Sequence, residues 1–140
     1  MKQISIPSGV TIIKEYTFSV CSSLVHVSFH PWLKVIKEFA FDECTALTQV
    51  VIPSSVKTIE NYAFCQCSSL FRVSFNSPLV GIGKNAFIGC PLLTIKEITA
   101  FTNAQIKQNY EKCNDSWQYW LLIMNLFFLL IYNYMKYFIL

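Results

Sequence analysis

The chain has 140 residues, 54% hydrophobic and 14% charged, with 11 Lys+Arg against 8 Asp+Glu and a formal net charge of +3. That length holds one domain plus an appendage. The small charge is spread along the chain and does not supply the clustered basic face that nucleic-acid binding requires, so no nucleic-acid partner is expected.

Met1-Lys2-Gln3 runs straight into an apolar alternation. No charged start followed by a long apolar stretch is present, so no secretory signal peptide is read, and no segment is recognisable that would cover the first unit. From there one pattern repeats. Cys21, Cys44, Cys67 and Cys90 are each 23 residues apart. Phe18, Phe41, Phe64 and Phe87 stand three residues before them, Leu24, Leu47, Leu70 and Leu93 three after, and Ile13, Ile36, Ile59 and Ile82 eight before. A fixed period of this size means stacked supersecondary units, each burying its apolar side chains against its neighbours.

Each unit opens with a predicted short strand whose alternate residues point inward. The inward pairs are Ile4/Ile6, Val27/Phe29, Val50/Ile52 and Val73/Phe75. Ser5, Ser28, Val51 and Ser74, lying between them, are then placed on the outer sheet surface. Pro7 and Pro53 end their strands because proline donates no ladder hydrogen bond. Val10, Leu33, Val56 and Leu79 point inward next, followed by the isoleucine column and a Phe-x-x-Cys-x-x-Leu arc back to the following strand.

Read from Val50 to Leu70, the pattern is Ile-x-Ile-Pro-x-x-Val-x-x-Ile-x-x-x-Ala-Phe-x-x-Cys-x-x-Leu with Val50 at its first isoleucine. It resembles the BspA-like leucine-rich repeat family. Ala40-Phe41, Ala63-Phe64 and Ala86-Phe87 carry the family's Ala-Phe pair, and Thr17-Phe18 departs from it. Gly83 matches a glycine common in that place, where Lys37 and Glu60 stand in other units. The resemblance covers about residues 3–98. It implies an α/β-type repeat solenoid, a right-handed leucine-rich-repeat coil with short parallel strands. It also implies a role in binding proteins or surfaces, often on cell exteriors, and no catalytic residues or cofactors.

Four of the six cysteines occupy one repeat column, where buried cysteine acts as a small hydrophobe. Column neighbours at a strand spacing of about 4.8 Å could pair; reduced structural cysteine is the expectation. Cys65, two residues from Cys67, is expected to point elsewhere, and no second ligand pair at zinc spacing makes a metal site of the two.

The repeats fade near residue 98, giving a leucine-rich-repeat domain over 1–98. Residues 99–116 are polar, with Ile106, Tyr110 and Cys113 at helical spacing, and read as a helical cap or linker. Residues 117–136 then bring an apolar run with no charge before Lys136. Twenty helical residues span about 30 Å, a bilayer core. Trp117, Tyr119 and Trp120 at one end and Tyr132, Tyr134 and Tyr137 at the other resemble aromatic belts. The expectation is a C-terminal helix forming a single-pass membrane anchor, with the side of the repeats undetermined. Two alternatives stand beside it: a helix packed on an open solenoid end, and translation past a gene end in an AT-rich genome.

Polar residues yield little chemistry. His26 and His30 have no nucleophile or carboxylate constellation around them and read as solvated strand residues. Gly81-Ile82-Gly83-Lys84 lacks the spacing and the Ser/Thr of a phosphate loop. The best binding surface is the outer sheet face: Ser5, Ser28, Val51 and Ser74, flanked by His26, Gln49 and Arg72. The expected function is a non-enzymatic, membrane-anchored module of surface-antigen or adhesion type, binding an unidentified protein or cell-surface ligand. The alternative is a structural fragment with no ligand of its own.

Overall fold

A computed structural model of the chain describes residues 2–76 and 81–93. Eight short strands run in order: β1 Gln3–Ser5, β2 Ile12–Ile13, β3 His26–Ser28, β4 Val35–Ile36, β5 Gln49–Ile52, β6 Thr58–Ile59, β7 Arg72–Phe75 and β8 Gly81–Ile82. They form two parallel four-stranded sheets, ordered β1-β3-β5-β7 and β2-β4-β6-β8. The register advances by one repeat at every step: Ile4 pairs Val27, Val50 pairs Val73, and Ile13, Ile36, Ile59 and Ile82 pair in succession. The result is a parallel-strand solenoid of about three turns.

The four columns read from the sequence form its interior. Phe41, Phe64, Cys44, Cys67, Leu47, Leu70, Ile36 and Ile59 are all fully buried. The Phe18, Phe41, Phe64 and Phe87 rings stack in line, with centroids 5.1, 5.0 and 5.3 Å apart. That is the spacing at which offset aromatic pairs add to simple burial. Among the described residues no polar or charged residue is buried.

Two features differ from the sequence reading. First, the isoleucine column is not merely a set of inward side chains; it is the inner face of the second sheet, so each unit contributes two strands. Strands of two residues are too short to show the alternation by which strands are read from sequence. Second, the described residues contain no helix, so the α/β-type description does not hold for them. The Phe-x-x-Cys-x-x-Leu arcs are made of turns, and their dihedrals give the reason. Tyr16, Phe39, Tyr62 and Asn85 have φ of 56, 55, 56 and 59°, and four residues later Val20, Glu43, Gln66 and Gly89 have φ of 60, 55, 56 and 77°. A left-handed residue every fourth position breaks any right-handed helix before it completes a turn.

The backbone bonds of the arc account for this conformation. Alternate N–H groups point to the next unit: Tyr16, Phe18 and Val20 donate to Glu38, Ala40 and Asp42, and Phe39, Phe41 and Glu43 donate to Asn61, Ala63 and Cys65. The groups between them close local turns, as when Ser19 donates to Tyr16 and Cys21 to Phe18. The strain at two positions per unit is held by a ladder that satisfies buried amides.

The expected helical segment 99–116 and the expected membrane helix 117–136 lie outside the described residues. Among the described residues no helix is long and apolar enough to cross a membrane.

Candidate binding face

Strand parity places the polar side of the first sheet. Ile4, Val27, Val50 and Val73 face the core, so their neighbours on either side face out. Gln3, His26, Gln49 and Arg72 line up in register as one outer column. Ser5 pairs Ser28, and Val51 pairs Ser74, in a second column two residues along. All seven residues expected at the site therefore lie on one face. Six are exposed and Ser74 is half-buried.

This face is chemically mild. Val51 is 53% exposed at its centre, flanked by serine and glutamine. The Arg72 guanidinium lies 5.9 Å from the centroid of the Phe71 ring, within reach of a cation–π contact. Among the described residues every acidic side chain, namely Glu15, Glu38, Asp42, Glu43 and Glu60, lies in the segments that follow β2, β4 or β6, and none lies on this face. Lys37 and Glu60 form an ion pair there at 2.8 Å, and the Glu60 hydrogen bond pushes the Lys37 ammonium pKa up.

Three exposed aromatic residues were not singled out from the sequence: Tyr16 on the first arc, Phe71 beside Arg72, and Trp32 in the turn after β3, which is 60% exposed. The signal available was an interruption of a column. Trp32 stands where other units have Gly9 and Ser55, and Phe71 where they have Val25 and Thr48.

His26 is exposed on the outer column. His30 corrects the expectation of a solvated side chain. It is half-buried, its ring centroid lies 6.4 Å from that of Trp32, and its Nδ1 is buried without a hydrogen-bond partner. The residue falls just beyond the strand, where parity no longer sets direction. Gly83 is explained by close packing, not by a phosphate. A Cβ there would collide with the backbone of Glu60 and Asn61.

The cysteine column does more than fill space. The Cys44, Cys67 and Cys90 thiols donate to the carbonyls of Phe18, Phe41 and Phe64 in the preceding unit, at 3.1, 3.2 and 3.2 Å. Hydrogen bonding with the Cys44 and Cys90 thiols, together with burial, pushes the Cys67 thiol well above its ordinary pKa. Burial, then a hydrogen bond with Asp42, pushes Cys65 up to about 12. Thiols held protonated are poor nucleophiles and poor metal ligands. No group of three or more His, Cys, Asp or Glu able to hold a metal occurs among the described residues.

Residues 1–115 match the BspA type leucine rich repeat region, in six copies. No curated protein matches the chain. Among solved structures, the chain is 31% identical to a leucine-rich repeat protein of T. pallidum, with a TM-score of 0.64 over 66% of this chain and 44% of that one. It is 38% identical to a leucine-rich repeat protein of Bacteroides ovatus, with a TM-score of 0.60 over 67% of this chain and 24% of the other. The chain thus spans less than half the length of either structure.

Proposed function

We propose that this chain, which belongs to the BspA-type leucine-rich repeat family, is a non-enzymatic module that binds a protein or cell-surface ligand through the outer face of its first sheet. The observation that carries the reading is the register. Gln3, His26, Gln49 and Arg72 stand in one straight column across four parallel strands, giving an extended surface of evenly spaced hydrogen-bonding groups. Leucine-rich-repeat proteins generally bind proteins and are generally not enzymes.

The test is a protein and glycan array probed with the labelled full chain and with Val51→Arg. Val51 is exposed, so the substitution leaves the core intact while placing a bulky charge at the centre of the face. Array signals abolished by Val51→Arg support the face; signals unchanged by it exclude the face. Turnover in a broad hydrolase panel that is lost on changing His26 or His30 would overturn the non-enzymatic reading.

Membrane anchoring by residues 117–136 is part of the proposal and rests on the sequence: a run of bilayer length with no charge before Lys136 and with aromatic ends. On that reading the module is of the surface-antigen type. Carbonate extraction of membranes from expressing cells tests it. Retention in the pellet supports an anchor and release into the supernatant excludes one; protease treatment of the sealed membranes then assigns the side of the repeats.

A further inference from the structure

Charge that is evenly spread along the sequence is sorted by the coil, because every 23-residue unit returns equivalent stretches to the same side. Residues 2–11, 24–34, 47–57 and 70–76 build the first sheet and the turn beyond it. They hold Lys2, Lys34, Lys57 and Arg72, all exposed, together with His26 and His30, and no acidic side chain. The other described stretches build the second sheet and the arcs, and hold Glu15, Glu38, Asp42, Glu43 and Glu60 against Lys14, Lys37 and Lys84. Among the described residues, then, one side of the coil is positive and the other is negative on balance. Lys34 and Lys57 stand on successive turns, joined where the Lys57 N–H donates to the Lys34 carbonyl at 2.9 Å. Neither has an ion-pair partner among the described residues; Lys37 does, in Glu60. Like charges facing each other on neighbouring strands cost stability, and a bound anion relieves that cost.

We propose that the partner is a protein with an acidic surface, seated over the first sheet and the turn beyond it, its carboxylates meeting Arg72, Lys34 and Lys57; this rests on the reading that the sheet face binds a ligand. Charge complementarity names the sign of the partner, and the uncharged residues name its class. Trp32 and Phe71 are exposed on this same side, and Val51 is exposed at the centre of the sheet face. Trp, Phe and Arg are the residue types that anchor protein interfaces. A nucleic acid or a sulfated glycan is a dense polyanion and needs a close row of cations. Here Gln3, His26 and Gln49 fill the column up to Arg72, and serine and valine fill the next. The carboxylates of the arcs repel an acidic partner, which fixes the side of the coil that it meets.

The probe is a fluorescein-labelled copolymer of glutamate and tyrosine, an acidic polypeptide with apolar contacts, titrated with the full chain by fluorescence anisotropy. Labelled heparin and a lysine–tyrosine copolymer are titrated in parallel. The chain is expected to bind the glutamate copolymer more tightly than heparin and to ignore the lysine copolymer. Raising the salt from about 50 to about 300 mM weakens the binding several-fold, because the screening length shortens. Lys34→Glu with Lys57→Glu weakens it about tenfold, whereas Lys14→Glu with Lys84→Glu, an equal change of net charge on the arc side, moves it less than about twofold. All four lysines are exposed, so both paired variants keep the melting transition of the parent chain. The proposal is overturned if the glutamate copolymer does not bind, if heparin binds as tightly, or if the two paired variants weaken binding equally. The array separates this inference from the reading beneath it. Signals lost with Val51→Arg but unmoved by Lys34→Glu with Lys57→Glu overturn the acidic partner and leave the sheet face standing; signals that survive Val51→Arg overturn both.

Discussion

At the residue scale, the column positions carry the stability. Phe64 is fully buried and stacked on both faces, by Phe41 at 5.0 Å and Phe87 at 5.3 Å. Phe64→Ala loses both stacks and leaves a cavity that rigid neighbouring units cannot fill, so a cost of about 3–5 kcal/mol is expected, read from the shift in urea midpoint. The cysteines give a second prediction through pH. In the unfolded chain Cys65 ionises near its ordinary value of 9.0, while the folded chain holds the proton up to about 12. Between those values the unfolded state binds fewer protons, so stability falls as pH rises through this window and is unaffected by Cys65 below it. Cys65→Ala should flatten the alkaline limb of a stability–pH curve. Lys37, whose ammonium is held protonated above its ordinary value of 10.5 by the hydrogen bond to Glu60, likewise loses its contribution as pH rises past that value and leaves part of the slope in place.

At the scale of the element, the arc is the unusual piece. It binds two left-handed residues per unit into a ladder, and most of them are not glycine. Val20 is the sharpest case, being β-branched with φ of 60° and 62% exposed, so it loses little packing if replaced. A left-handed non-glycine residue costs roughly 1–2 kcal/mol, partly offset by the 0.5–1 kcal/mol that glycine costs in chain entropy. Val20→Gly should therefore raise stability by about 0.5–1 kcal/mol in thermal or urea melts. Gly89→Ala should act in the opposite sense. Gly89 shares the column with φ of 77°, and a Cβ there would press on the Gln66 side chain at 2.6 Å. Opposite signs at the two positions are the signature of backbone strain, since a purely packing-based column would not produce them.

At the scale of the whole molecule, stability should be distributed along the stack, not shared by one core. Contacts join each unit only to its neighbours, so the structure opens from an end. Hydrogen exchange should show this as a gradient. The amides of Phe41 and Phe64, which donate to Ala63 and Ala86 deep in the stack, exchange slowest. Those of β1, the edge strand of the first described sheet, exchange faster than those of β3 and β5, which are paired on both sides. Uniform protection across units 1 to 4 would show that the stack unfolds as a single cooperative block.

The sequence by itself determined the period, the phase and the inside of this protein. Phe, Cys, Leu and Ile recurring every 23 residues specify which side chains stack, because identical units in register bury identical positions. Strand parity likewise placed Ser5, Ser28, Val51 and Ser74 together with His26, Gln49 and Arg72 on one outer face, since an inward Val50 forces its neighbours outward. Only the tertiary structure decided how the rest of each unit closes. The pairing of Ile13 with Ile36 and Ile59 into a second sheet is a contact between units, and a two-residue strand has no pattern of its own to read. The left-handed residues of the arc were equally illegible, because Tyr16, Val20 and Phe39 have no local preference for positive φ. They adopt it because the carbonyls of the next unit stand where their amides must point.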